Sequence, residues 1–485
     1  MADDGSIPCR LHWRTIQAQA PLQAISEMFA KRRSPSILGA NPAVIDSSGL
    51  SYWAAEPREI FEFPAEQTNP FPHLQSVLSR YRLADGCSDP HRMGLPSGMF
   101  AGGWIGYFGY ELGRHIERLP KRAVDDLHLP MIRLCFYDRF LAYDHRSGVF
   151  WAVALAMPDD AQTPADKLAS VERRLHRSQN LRLRKLSRTP IGDADLAGIR
   201  RNMPRRQYLE AVQRIKSHIR DGDVYQVNFS HRFELPFKGR PADLFHWQNR
   251  FNPSGYAAYV DAGRFQIVSA SPEMFVTVRD GFIQTKPIKG TRPRLDSSHP
   301  EASRINAERF HDLLVSEKEQ AELNMIIDLE RNDVARICKP GTRRVIQPRT
   351  IAAYPTVYHV VATIEGELRD EVAFSDILKA MFPGGSITGA PKIRAMEIID
   401  DLEPTARGVY TGAIGFVGLD GTVCLNIAIR TIIIAGGSAF AQSGGGIVAD
   451  SDPQAEWEET IVKARALVAG IRAVGTEYAQ QSLSE

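Results

Sequence analysis

The first half of the chain alternates short apolar runs with turn-forming residues. Residues 36–40 and 43–46 read as short strands; 134–137 and 149–155 read as further ones, linked through the polar turn 144–148. Residues 99–111 mix glycine with Phe100, Trp104, Tyr107, Phe108 and Tyr110, which suits a sheet where backbone and rings pack closely. After position 157 the pattern changes. Residues 165–176 take helical form, and the basic runs 173–177 and 182–185 lead into a stretch punctuated by glycine and proline. Residues 158–203 therefore read as a basic linker, a solvated helix face and connector between an N-terminal region, 1–157, and a second region, 204–480.

In that second region Leu209, Val212, Ile215 and Ile219 recur at helical spacing. Asp221-Gly222-Asp223 stops the helix, and 224–230 alternates as a strand. Residues 274–278 form another alternating run, Asp280-Gly281 is a hairpin signal, and 282–285 is the returning arm. Pro287 and Gly290 then end regular pairing, which puts Lys289 where a strand stops and a loop begins. Residues 313–337 carry the longest helical pattern in the chain. Asp452-Pro453 opens a last helix, with Asp452 as cap and Pro453 at the first helical position.

Composition narrows the class. A chain of 485 residues, 43% hydrophobic and 24% charged, has the length of two or three domains and enough apolar content for a sizeable core. A net charge of +2 gives no general case for nucleic acid, and the basic linker lacks the interleaved aromatics that would supply one. The five cysteines lie far apart with no CxxC spacing, which argues for reduced thiols and against a zinc site or disulfide framework. The N-terminus leads into no signal-like apolar run, and no stretch approaches the ~20 apolar residues that span a bilayer. These features predict a cytoplasmic protein with neither membrane nor nucleic acid as partner.

The candidate chemistry is acidic, basic and oxygen-rich. The hairpin brings Lys289 towards Glu273, at the start of its other arm. A lysine near a carboxylate is usually an ordinary surface pair; at a buried strand end it becomes a nucleophile whose proton the carboxylate takes. Glu319 and Glu322 share one helix face, as do Glu456 and Glu459 on the last helix. Each pair alone is most simply a solvated face. Together they form an oxygen-ligand set suited to magnesium, which often bridges to an anionic substrate.

Two glycine-rich segments fail as nucleotide sites. In Gly384-Gly385-Ser386-Ile387-Thr388-Gly389, Ala390-Pro391 intervene where a P-loop needs Gly-Lys-Ser/Thr. Gly444-Gly445-Gly446-Ile447-Val448-Ala449 runs at once into Asp450 and Asp452, poor company for a pyrophosphate. Both are tight turns or backbone cradles for a smaller anion such as a carboxylate. Arg430 can grip a carboxylate with two parallel bonds, Lys463 shares a helix face with Glu459, and His359 sits in a strand-like run. Read this way, the chain is a magnesium-assisted enzyme acting on a small di-acid.

The motifs of the second half resemble those of the chorismate-utilising enzymes: the anthranilate, aminodeoxychorismate, isochorismate and salicylate synthases. They are Gly222-Asp223-Val224-Tyr225-Gln226-Val227-Asn228, Ser271-Pro272-Glu273, Pro287-Ile288-Lys289-Gly290-Thr291-Arg292 and Asp328-Leu329-Glu330-Arg331-Asn332-Asp333. Gly385-Ser386-Ile387-Thr388-Gly389-Ala390-Pro391-Lys392 and the segment from Gly444 to Pro453 complete the series in the same order. The resemblance implies a large α/β (α+β) sandwich of two subdomains whose halves interleave. Anthranilate synthases usually carry alanine at the position of Lys289. The lysine, with Tyr225-Gln226-Val227-Asn228 upstream, resembles the aminodeoxychorismate synthase component I branch; anthranilate synthase and isochorismate synthase are the alternatives.

By position, the resemblance makes Lys289 the nucleophile and Glu273 the general acid/base. It assigns magnesium to Glu319, Glu322, Glu456 and Glu459. It assigns chorismate to Thr291, His359, Tyr410, Arg430, Gly444, Gly445, Gly446 and Lys463. No Gly-x-Cys-x-Gly nucleophile turn surrounds any cysteine, so the resemblance further implies ammonia from a separate glutamine amidotransferase subunit.

Overall fold

Alternation in the sequence becomes two large, largely antiparallel sheets. The computed structural model describes residues 5–41, 49–87, 89–187, 196, 198–354 and 357–481, except the side chains of 318 and 476–481. Among them one sheet has thirteen strands and the other ten. A continuous apolar core joins the two sheets, where Tyr52 of one meets Phe416 of the other with ring centroids 5.5 Å apart. Helices cover the outer face of the larger sheet: Leu22–Ala30, Pro164–Ser178, Pro241–Phe251 and Pro453–Gln481 bury Phe29, Leu168, Val171, Phe245 and Leu467 against it. The helix Glu317–Ala335 packs Leu323, Ile327 and Val334 onto the smaller sheet.

The two sequence regions interleave, as expected. Strand Ser36–Leu38 pairs with Tyr256–Asp261 in the larger sheet, and Gly103–Phe108 pairs with Ala413–Gly418 in the smaller one. The stretch after position 157 is only partly solvated. Arg173 and Arg177 face water, but Arg174 turns inward to pair with Glu56, and Lys167 is buried between Asp138 and Asp160 at 2.7 and 2.6 Å.

Several elements differ from the pattern in the chain. Residues 313–337 are not one helix. Ala302–Val315 stops at Ser316, whose side chain accepts from Glu319 N at 3.3 Å and caps a new helix, Glu317–Ala335. The longest helix is Pro453–Gln481, and Asp452 caps it through Ala455 N at 2.9 Å. The turn at 144–148 joins Val149–Ala156 to a strand the pattern did not isolate, Arg139–Asp144. Gly444, Gly445 and Gly446 are not a turn; they lie inside strand Ser438–Ile447. The strand expected at 43–46 lies outside the described residues.

Candidate active site

The hairpin forms as its sequence requires. Met274–Arg279 and Phe282–Lys286 are joined at Asp280-Gly281, both with positive φ (51° and 76°), the backbone a two-residue turn of matching twist needs. Lys289, however, sits in a further strand rather than a loop. After Pro287 the chain resumes as edge strand Ile288–Pro293 against Val357–Glu367, and the register slips at Gly290 between Lys289 and Thr291. Gly290 has φ 72°, so the bulge needs glycine there. A side-chain carbon built on it would also lie 2.9 Å from Glu319 Oε2.

Glu273 occupies the corner between Phe265–Ser271 and Met274–Arg279. Its carbonyl accepts from Ile427 N at 3.0 Å, and Ser271 Oγ donates to Ile427 O at 2.6 Å, which fixes the corner. The carboxyl is only 4% exposed. Ser386 Oγ donates to its Oε1 at 2.6 Å and Ile288 N approaches at 3.4 Å. Burial pushes the Glu273 pKa up, while these two bonds and the charges of Lys289 and Lys463 pull the other way. A carboxyl held between those forces can both give and take a proton.

Around this pair the sheets gather most of the candidate residues. Thr291 Oγ1 and His359 Nδ1 are 2.9 Å apart, opposite each other in register. Burial lowers the His359 pKa to about 4 and Arg430 pushes it the same way, so the ring is neutral at ordinary pH. Arg430, at φ 51° just beyond strand Val423–Ile427, donates to Lys463 O at 2.9 Å and lies within electrostatic reach of Tyr410 and Glu459. Burial pushes the Tyr410 phenol up to about 12, which keeps its proton in place. Lys463 Nζ donates to Gly444 O at 3.0 Å and pairs with Glu459 at 2.5 Å.

The three glycines run along Ser230, Phe229 and Asn228 of the neighbouring strand. At Gly444 a side-chain carbon would meet Phe229 O at 2.4 Å. A carbon at Gly445 would lie 3.2 Å from Glu456 Oε2 and 3.6 Å from Glu459 Oε1, which places the second acidic pair above this strand. Glu319 of the first pair lies over the Gly290 bulge, and its Oε1 meets Arg292 at 3.3 Å. Glu322 shares that helix, and Glu456 accepts from Ser451 Oγ at 2.5 Å. Among the described residues no three histidine, cysteine or acidic side chains are grouped closely enough to hold a metal. The four glutamates stand as two pairs. As donors, all four offer carboxylate oxygens, the chemistry a hard divalent cation takes.

Several groups escaped the sequence. Ser386 lies in a segment whose sequence marks only its glycine backbone. Both amide atoms of Gln226, and Asn228 Oδ1, are buried with no hydrogen-bond partner among the described residues, and a carbon at Gly446 would lie 3.0 Å from Gln226 Nε2. Buried polar atoms left unpaired beside a site point to a ligand or water. Behind the strand, Arg407 and Glu403 pair at 2.7 Å with side chains 1% and 2% exposed. Arg407 donates to Asn228 O and Ile387 O, and Glu403 accepts from Ser230. The signal for that pair was its four-residue spacing, too common to single out.

A family model described as chorismate binding enzyme matches residues 41–469. Anthranilate synthase component 1 of Pseudomonas putida is 40% identical over 410 residues, 82% of this chain and 79% of that protein. Aminodeoxychorismate synthase component 1 of Bacillus subtilis strain 168 is 38% identical over 369 residues, 76% of each. The solved anthranilate synthase component I from Streptococcus pneumoniae TIGR4 superposes with a TM-score of 0.72 at 29% identity, covering 88% of this chain and 93% of that one. The chain belongs to the chorismate binding enzyme family. It is a chorismate-utilising enzyme, with relatives of comparable similarity named anthranilate synthase component 1 and aminodeoxychorismate synthase component 1. Among the described residues no helix is long and apolar enough to cross a membrane.

Proposed function

We propose that the chain is an aminodeoxychorismate synthase component 1, converting chorismate and ammonia to 4-amino-4-deoxychorismate, the precursor of 4-aminobenzoate and folate. The observation that carries this reading is Lys289, set on the strand beside the buried Glu273 carboxyl and within its electrostatic reach. In the proposed reaction the neutral Lys289 amine attacks C2 of chorismate. The ring double bond shifts, the C4–oxygen bond breaks, and Glu273 gives its proton to the departing hydroxyl, releasing water. Ammonia then adds at C4, the shift reverses, the C2–nitrogen bond breaks, and the Glu273 carboxylate takes back a proton.

The neutral His359 ring with Thr291, the Tyr410 phenol, Arg430, Lys463 and the backbone at Gly444–Gly446 would hold the substrate's carboxylates and hydroxyl. Glu319, Glu322, Glu456 and Glu459 would hold magnesium, whose contribution is to neutralise the ring carboxylate and polarise the leaving hydroxyl. The unpaired Gln226 amide beside Gly446 offers a polar lining for a small neutral molecule. Ammonia would come from a separate glutamine amidotransferase subunit, with free ammonium as substitute, and the enzyme would work in the cytoplasm.

The similarity to anthranilate synthases supports a second reading, in which the same pocket aminates C2. Product analysis separates the two. The protein is given chorismate, magnesium and an ammonium salt at alkaline pH. Aminodeoxychorismate, abolished by chelation, is the expected product; fluorescent anthranilate would establish the second reading instead. Lys289→Ala is expected to lose most C4 amination, at least ~100-fold in kcat/KM, with an unchanged circular-dichroism melt. Wild-type rates in that variant would exclude the covalent route.

A further inference from the structure

Only one oxygen of the Glu273 carboxyl is held by the protein. Ser386 Oγ lies 2.6 Å from Oε1, and Ile288 N lies 3.4 Å from the same atom. Among the described residues Oε2 has no hydrogen-bond partner. A backbone N–H can only donate, so Oε1 acts as an acceptor towards Ile288. Ser386 settles the rest. It is 4% exposed, and its hydroxyl hydrogen has no acceptor among the described residues other than Oε1. Were Oε1 to carry the proton and direct it at Ser386 Oγ, that hydroxyl hydrogen would be buried unpaired, an arrangement proteins avoid. The proton of the neutral acid therefore belongs on Oε2.

Both partners stand on fixed backbone. Ser386 is the middle residue of the short turn Gly385–Ile387. The Thr388 hydroxyl closes that turn by donating to Gly384 O at 3.0 Å, and Arg407 pins it by donating to Ile387 O at 3.0 Å. A side-chain carbon at Gly385 would lie 2.7 Å from Leu329 Cδ2, and one at Gly384 would lie 3.0 Å from Ile427 Cδ1. The turn is thus wedged between helix Glu317–Ala335 and the residue whose N–H holds the Glu273 carbonyl. A hydroxyl and a carboxyl supported in this way keep their geometry through a change of charge.

We propose that Ser386 is a positioning residue for catalysis: its hydroxyl commits Oε1 of Glu273 to the protein, so that Oε2 is the atom that gives and takes the proton. This rests on Glu273 acting as the general acid of the proposed reaction. The Oε2 proton passes to the C4 hydroxyl as the C4–oxygen bond breaks, and water leaves. The carboxylate then accepts on Oε2 a proton from the nitrogen added at C4, which restores the acid. Between those steps the bond from Ser386 strengthens, because its acceptor is ionised. Ser386 thereby favours the charged form, against the burial that raises the Glu273 pKa. Lys289 from the edge strand and Lys463 from the last helix also act on this carboxyl through their charges, and Glu330 on helix Glu317–Ala335 lies within electrostatic reach of it. All three remain when only Ser386 is replaced.

The test is an infrared titration of the resting enzyme, without substrate, in which the band of the protonated Glu273 carboxyl is identified by its loss in Glu273→Gln. In Ser386→Ala the midpoint of that band is expected to move to higher pH, because a bond to the charged form has gone. A midpoint that moves to lower pH would mean that Ser386 accepts the Glu273 proton, which puts it on Oε1 and overturns the proposal. An unmoved midpoint would overturn it as well. Ser386→Cys keeps the size of the side chain with a weaker donor, and its midpoint should fall between the other two. In the ammonium-dependent assay Ser386→Ala is expected to lose about tenfold in kcat, with KM for chorismate little changed and an unaltered circular-dichroism melt. A loss confined to KM or to the melt would make Ser386 structural only and would also overturn the proposal. Should the product prove to be anthranilate, the proposed function falls, while the substrate-free midpoint still decides which oxygen Ser386 holds.

Discussion

His359 and Glu330 are buried titratable groups whose shifts run in opposite directions, and each leaves a mark on stability. His359 has its pKa lowered from 6.5 to about 4, by burial first and Arg430 second. The unfolded imidazole binds a proton that the folded one excludes, so stability present above pH 6.5 is lost progressively as pH falls towards 4. At about 1.4 kcal/mol per pH unit, this one ring is expected to remove ~2 kcal/mol between neutrality and pH 5. His359→Gln should therefore show a flatter decline in denaturant midpoint over that interval; parallel curves would mean the ring is not held neutral. Glu330 works the other way. Its folded pKa of about 8 lies above the usual 4.5, so its contribution is whole below 4.5 and lost as pH rises through about 8.

At the scale of the element, strand Ser438–Ile447 is held close to its neighbour by glycine. Gly444→Ala would set a methyl carbon 2.4 Å from Phe229 O and 2.6 Å from Ser230 Cβ, contacts that only a backbone shift relieves. An overpacking cost of about 1–3 kcal/mol is expected in urea unfolding, together with weaker chorismate binding, because Lys463 holds the Gly444 carbonyl. Alternation and turn chemistry made the Met274–Lys286 hairpin legible from its own residues, as did the Asp452 cap of the last helix. Other features were hidden because their causes lie elsewhere in the chain. The apolar run of Leu313, Leu314 and Val315 carries helical periodicity across Ser316, and only the cap to Glu319 marks the break. Lys289 lies in a strand because Val357–Glu367, far along the chain, supplies its partner. Ser386 and Glu330 meet Glu273 and Thr285 from far along the chain, a kind of contact that periodicity within an element does not record.

The whole molecule ties the site to residues behind the candidate pocket. Arg407 holds the strand at Asn228 and the loop at Ile387, and its guanidinium lies 4.7 Å from the Tyr110 ring centroid. Glu111 accepts the backbone N–H groups of Arg407 and Gly408 at 2.9 and 3.0 Å. The N-terminal region thus supports the back of the candidate site, besides supplying strands to both sheets. Residues 204–485, although they hold the candidate catalytic, substrate-binding and metal residues, would expose the unpaired edges of Tyr256–Asp261 and Ala413–Gly418 and leave Arg407 without the Tyr110 ring. Open, apolar strand edges recruit other chains. That fragment is expected to aggregate on expression and to show no chorismate turnover, whereas its co-expression with residues 1–203 should restore a soluble complex with activity. Size-exclusion chromatography and the chorismate assay on both preparations check this. A soluble, active fragment would mean that the second region folds independently of the strands it shares.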